Sequence, residues 1–294
     1  MTWAWPVLLV LGVALADPVS RWLAAACWTH RDPVGALLLW QAVGLAGGLA
    51  LLGAGVTAAL APLGDGLWDA AGAVLDGRLA ELDAWRWVVL AITVVIAARL
   101  LGVLAVVGVR TLRARRRHRG LLDVLATPWP AVPGALVLDH PVPVAYCLPG
   151  PKSRVVVSRG ALTTLERTEL SAVLAHEQAH LRERHDLVVL PFVAWGATVR
   201  GVPGLTAAQR AVAALIEMRA DDVAAREVGD EALGRALQAV SGGAHGATHT
   251  VFTAATEQRL ARVHDRPPPL PLAARVAVRL AALLLLAVPT ALLL

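Results

Sequence analysis

The chain has 294 residues, a formal net charge of +5 and a pI near 10.4; 57% of it is hydrophobic, at a mean hydropathy of +0.61. That excess over a globular composition is gathered in long uncharged runs, which excludes a wholly water-soluble chain. Lys152 is the one lysine among 27 basic residues. So strong an Arg bias reflects high-GC coding, and no direct nucleic-acid partner is expected. Cys27 and Cys147 fit neither a disulfide framework nor a C-x-x-C metal knuckle and read as small buried apolar residues.

Residues 2–16 are apolar and run into Asp17-Pro18. Ala14-Leu15-Ala16 resembles a signal-peptidase site, but Met1-Thr2-Trp3 carries no side-chain charge ahead of it, so the segment is read as an uncleaved first span. It is short against the roughly 20 residues a bilayer core needs. Pairing of Asp17 with Arg21, one turn apart, would let it continue through Trp28. Residues 33–62 form a second, uncharged span whose Gly44, Gly48 and Gly55 suit close helix packing in lipid. Residues 65–86 read as an acidic loop, with Asp65, Asp69, Asp76, Glu81 and Asp83. The third span covers 85–109, with Trp85 and Trp87 at an interface. Arg99 falls near its middle, where insertion costs about 3 kcal/mol unless the charge meets protein or water. Two readings stand: a bundle-facing contact to Gln41, or an arginine tolerated by local water and snorkelling.

Arg110, Arg113, Arg115, Arg116, Arg117 and Arg119 follow at once. Directly after a span, such a run acts as a positive-inside anchor. Residues 1–119 are therefore read as a membrane region with a basic anchor. The chain beyond 109 is cytoplasmic on this reading, and the acidic loop and N-terminus are extracytoplasmic.

Residues 120–266 make the water-facing domain. Short β-prone runs at 135–138, 142–148 and 154–158 are separated by Pro and Gly. The helix of the stretch 170–186 follows, expected to continue through Glu183. The apolar stretch 187–199, broken by Pro191, is too short to span and reads as a core helix, with a membrane-dipping segment as the competing reading. Helices are expected at 206–228 and 230–240, and a Gly- and His-rich loop at 241–250. Residues 267–271 form a stiff Pro-rich linker. Residues 272–294 form a fourth span with Arg275 and Arg279 at its cytoplasmic entry, which leaves the C-terminus extracytoplasmic.

The chemistry centres on His176-Glu177-Gln178-Ala179-His180. Residues four apart on a helix share a face, so two imidazoles aim at one point in the H-E-x-x-H arrangement that holds zinc. Glu177 would stand beside a water activated by the metal and take its proton. Zinc needs a third protein ligand, and two candidates exist. Asp186 lies six residues after His180, but Glu183 stands where a helix-breaking Gly would be needed, and a continuing helix would carry Asp186 away. Glu217 shares a helix face with Asp221, so one carboxylate can bind metal while the other accepts the N–H of a ligating His.

Taken together, SRGALTTL, ELSAVLAHEQAHLRERHD and EMRADD resemble the integral-membrane zinc peptidases of the BlaR/MecR antibiotic-sensor type and the related HtpX and CAAX-prenyl-protease group. The resemblance covers the whole layout of three spans, a zinc domain and a fourth span. It implies a multi-pass α-helical membrane protein with a cytoplasmic α+β glutamate-zincin domain, holding one Zn2+ per chain. It also implies His176, His180 and Glu217 as ligands, Glu177 as general base and Asp221 as the partner of a ligand His. Arg259 matches an Arg that follows the ligand Glu in the related group, and His185 matches a His often found there; both are candidates for contacts to the transition state or substrate. The extracellular penicillin-binding domain of the antibiotic sensors has no counterpart before Leu294, so β-lactam sensing by that route is not expected.

Peptidases of this kind bind substrate as an added strand on a free sheet edge. Pro141 and Pro143 mark an edge, so Val144, Ala145, Tyr146 and Cys147 are the candidate substrate strand, with the Tyr146 hydroxyl a candidate oxyanion contact. The expected activity is zinc-dependent hydrolysis of a cytoplasmic polypeptide, for instance a transcriptional repressor. Membrane-protein quality control and a non-catalytic receptor or scaffold are the alternatives.

Overall fold

A computed structural model describes residues 3–64, 66–148, 153–243 and 251–294. The chain divides into two compact units: Met1–Val107 with Val189–Val212 and Leu270–Leu294, and Gly108–Val188 with Ala213–Pro269.

In the first unit, α1 (Ala4–Ala16) and α2 (Pro18–Ala24) are joined at Asp17, where Arg21 reaches back to the carboxylate at 2.8 Å. The expected pairing is present and lets one apolar segment run over Ala4–Ala24. Asp17 also accepts the Gly204 N–H at 2.9 Å, so the charge is held by a cation and a backbone donor. α3 (Pro33–Leu60) is the most buried of the apolar helices, because glycines on it and on its neighbour allow close approach: its Leu51 packs over Gly12 of α1, and Leu293 packs over its Gly53. The 65–86 segment, expected as a loop, carries a short helix α4 (Leu67–Leu75), with Ala70 and Ala73 buried against Ala59, Leu60 and Leu63. α5 (Ala84–Leu125) does not stop at the basic run; it continues through it for 42 residues. Arg has good helix propensity, and no Gly-Pro break intervenes. α12 (Leu272–Leu293) closes this unit. Among the described residues, four segments are long and apolar enough to cross a membrane: Ala4–Ala24, Pro33–Leu63, Ala84–Leu125 and Leu272–Leu293.

Cys27, expected to be buried, is exposed at the start of a 3-10 turn (Cys27–Arg31). Of the two readings of Arg99, the contact to Gln41 is not made. Arg99 is exposed on α5 and makes no hydrogen bond or ion pair with any described residue. Thr93, which packs on Gly55 of α3, lies six residues earlier, roughly 120° away around the helix.

The second unit holds a four-stranded sheet of β1 (Ala126–Pro128), β2 (Ala135–Leu138), β3 (Ala145–Leu148) and β4 (Arg154–Ser158), in the order β1-β2-β4-β3. β2 and β4 are parallel and the outer pairs antiparallel, so β3 is an edge. The β-prone run from 142 thus forms a strand only from Ala145, since Pro141 and Pro143 cannot donate. β1 was not expected. Alternation along β4 sends Val155 and Val157 to one face and Val156 to the other. α6 (Arg159–Thr164) leads into α7 (Arg167–Arg182), whose start is fixed by a Glu166/Glu169 capping box. Leu170, Val173, Leu174 and Leu181 of α7 pack on the Val155/Val157 face. The other flank of α7 offers Ala172 and Ala175 to Ala224 of α9 (Pro203–Val228), with α10 (Asp230–Gly243) and α11 (Val251–His264) completing that layer. α8 (His185–Thr198) carries Pro191 within it. Residues 241–243, expected in a loop, end α10; residues 244–250 lie outside the described residues.

Ser158 ties the edge strand to α6. Its Oγ caps Ala161 N–H at 3.0 Å, accepts from Val144 N–H at 2.9 Å and donates to Val142 C=O at 2.7 Å. Gly160 N–H reaches His140 C=O at 2.9 Å, and a side chain at Gly160 would collide with the Pro141 carbonyl. Ser158→Ala should therefore cost about 1–3 kcal/mol, read as a lower Tm in detergent. The exposed Ser171→Ala should shift Tm little, and an unmoved Tm in Ser158→Ala would show that this clip contributes nothing.

Candidate metal centre

α7 sets His176 and His180 one turn apart with their Nε2 atoms 3.1 Å from each other. From α9, the two Glu217 oxygens lie 3.4 Å from His176 Nε2 and 3.5 Å from His180 Nε2. One ligand atom from each of the three residues lies within 4.8 Å of the others. Small residues make this possible, since Ala172, Ala175 and Ala224 let the two helix backbones approach closely enough for short carboxylates to meet the rings.

Each His has its other nitrogen engaged. His176 Nδ1 faces Asp221 Oδ1 at 3.0 Å, and Asp221 is only 1% exposed. Arg259 of α11 grips Asp221 with two bonds of 2.8 and 2.7 Å and reaches Glu217 at 3.1 Å. His180 Nδ1 lies 2.9 Å from Nδ1 of His185, whose Nε2 is 3.2 Å from Glu183; Arg219 holds Glu183 at 2.6 Å. Both rings are thereby turned to present Nε2 inward, the orientation a metal site needs.

Glu177 sits on the flank of α7 facing β3, where its Oε2 accepts the Cys147 N–H at 2.8 Å. The Val144 carbonyl accepts from Ser158 N–H, so alternation turns the backbone groups of Tyr146 toward β4 and those of Ala145 and Cys147 to the free edge. The candidate base and the free strand edge thus share one site.

The electrostatics follow from burial and neighbours. Burial opposes ionisation of Asp221, but Arg259 and His176 bring its pKa down to about 2. Burial likewise works against a charged His176, yet Asp221 and Glu217 hold its pKa above the ordinary range. His180 is pushed down by burial and by its neighbour His176. Burial raises Glu177.

Several residues differ from expectation. The helix does not continue through Glu183. α7 ends at Arg182, and Arg184, at φ 51°, is the one described non-glycine residue with positive φ. Asp186 still stays away from the cluster, paired with Arg115 at 2.9 Å. His185 is buried against His180 rather than presented to a substrate. Arg259 is occupied by two carboxylates. Tyr146 packs with Leu122 and Val156 on the sheet face away from α7, its hydroxyl 2.8 Å from His118 Nε2, and so makes no oxyanion contact. Sequence reasoning missed Glu183 and Arg219, which reach the cluster through His185.

The family model for peptidase family M48 matches residues 110–266. The chain belongs to peptidase family M48. No curated protein and no solved structure matches it. M48 enzymes are zinc-dependent metallopeptidases, and the donor chemistry here suits that metal: two imidazoles and one carboxylate converge, each His with its second nitrogen already engaged.

Zinc measured on the purified protein should be lost in His176→Ala, His180→Ala and Glu217→Ala and retained in Asp186→Ala. His185→Ala should weaken zinc about 10- to 100-fold in a chelator competition, as expected when a ligand His loses its orienting partner. Full occupancy in Glu217→Ala, with loss in Asp186→Ala, would overturn this ligand set.

Proposed function

We propose that this M48 protein is a membrane-anchored endopeptidase of the BlaR/MecR or HtpX kind that cuts a cytoplasmic polypeptide at a single zinc held by His176, His180 and Glu217. The observation that carries the reading is the meeting of that cluster with Glu177 at the free edge of β3.

When bound, zinc supplies Lewis acidity that polarises a carbonyl and lowers the pKa of water. The chain's own groups do the rest. An extended substrate pairs with the Ala145 N–H and C=O and the Cys147 C=O, the Cys147 N–H being held by Glu177, which fixes the scissile bond beside α7. Glu177, raised by burial, takes a proton from water and returns it to the leaving amine. Asp221 and His185 hold the two imidazoles in place, and Arg259 keeps Asp221 and Glu217 charged by bonding to both.

Four apolar segments support a membrane anchor. The basic run from Arg110 to Arg119 argues for a zinc domain on the cytoplasmic side with both termini outside. Cleavage of a regulatory substrate such as a transcriptional repressor and quality control of membrane proteins share this site and differ only in substrate, and trapping on a Glu177→Ala variant separates the two.

Glu177→Ala should keep its zinc while peptidase activity falls about 10²- to 10⁴-fold, the usual contribution of a general base. In the same assay Ala145→Pro, which deletes one edge donor, should raise KM at unchanged zinc. An active Glu177→Ala enzyme would sink the mechanism. Reporter fusions after Arg119 and Arg266 should read cytoplasmic and those after Asp76 and Leu294 extracytoplasmic; a secreted signal after Arg119 would reverse the orientation.

A further inference from the structure

α5 is the least covered of the four apolar segments, with 6% of its most apolar window buried. Its contacts within the first unit run through Arg86, Val89, Leu90 and Thr93. The opposite flank presents Ile92, Val95, Arg99 and Val106, all exposed. Arg99 is thus a fixed cation on an otherwise apolar helix face, with no ion pair or hydrogen bond to any described residue.

Its depth decides what can meet it. At 1.5 Å per residue, Arg99 lies roughly 16 Å along the helix from Arg110 and roughly 18 Å from Trp87, the residues that mark the two interfaces. Either distance exceeds the reach of an extended arginine side chain, so the guanidinium cannot snorkel to a headgroup. A second copy of the chain offers no carboxylate at that depth: residues 33–60 are uncharged, residues 272–293 carry only Arg275 and Arg279, and Asp17 is already held by Arg21 and Gly204. Arg99 from another copy would repel. Intramembrane charges are retained where a partner meets them.

We propose that the Arg99 face of α5 docks a transmembrane helix of a different protein, one that carries an Asp or Glu near mid-bilayer. Glycine at 102, next to Arg99 on this face, leaves room for that helix: a Cβ there would meet nothing within 4 Å. The proposal rests on α5 crossing the membrane. It concerns how the anchor selects its neighbour and leaves the zinc chemistry untouched.

The test uses the full-length protein in liposomes with a Leu/Ala-rich transmembrane peptide bearing one central Asp, compared with its Asn and Leu counterparts. Energy transfer between labelled protein and labelled peptide should show at least tenfold tighter association with the Asp peptide. Arg99→Lys should keep that preference and Arg99→Leu should abolish it. Equal association with the Asp and Leu peptides, or a preference that survives in Arg99→Leu, overturns the proposal. So does self-association of the wild type that is lost in Arg99→Leu without any peptide preference, since a second copy then covers the face. An Arg99→Cys variant, read by mass spectrometry after treatment with a membrane-impermeant maleimide, keeps the two levels apart. Protection at position 99 without peptide preference defeats the docking alone, whereas labelling there defeats the span and the docking with it.

Discussion

The second unit depends on one buried carboxylate. Asp221 is 1% exposed, and an ionised side chain there is tolerable only if its lone pairs are taken up. Arg259 takes two of its contacts and His176 another. Those three residues come from α9, α11 and α7, so the charge fixes the mutual placement of three helices through directional bonds. The surrounding layer is built mostly of alanines, which bring the helices close but specify little about rotation or register. The polar cluster supplies that missing specification, and in doing so it turns the His176 ring and sets Glu217 beside it.

A similar device operates on the other imidazole with weaker parts. His180 is turned by His185, which is turned by Glu183, which is held by Arg219. This relay needs the chain to double back immediately after α7. The left-handed backbone at Arg184 does that, at an energetic cost an L-residue accepts only when its surroundings demand it. Asp186 is carried past the cluster to Arg115 by the same turn. The strained turn and the exclusion of Asp186 are therefore two results of one backbone choice.

Much of this was readable in the sequence, for specific reasons. The four-residue spacing of His176 and His180, and of Glu217 and Asp221, survives any detail of packing because helix geometry alone enforces it. The apolar segments stood out because nothing but lipid or protein accepts such lengths. Other features depended on facts a linear pattern does not carry. Arg184 has no sequence mark of a left-handed residue, so the helix looked continuous through Glu183. Arg99 was visible as a charge in an apolar helix, but its facing is fixed by Thr93 meeting Gly55, a contact between residues far apart in sequence. The 65–86 stretch, rich in Asp, hid a short helix whose buried side is only Ala70 and Ala73.

The edge strand shows how a period of two decides chemistry. Tyr146 and Cys147 are neighbours in sequence, yet their side chains belong to opposite faces of the sheet. Tyr146 is spent on His118 and the cluster around Leu122, while Cys147 meets α7. Glu177 gains the Cys147 N–H and no second backbone donor among the described residues. Burial raises its carboxyl while the neighbouring His176 and that single donor lower it, and burial prevails. More donors would hold the carboxylate ionised and unable to keep a proton, and exposure to water would return it to the ordinary acidic range. A carboxyl group set at the mouth of a free strand edge, half-buried and with one donor, lies between those limits, where it can accept a proton from water and give it up again.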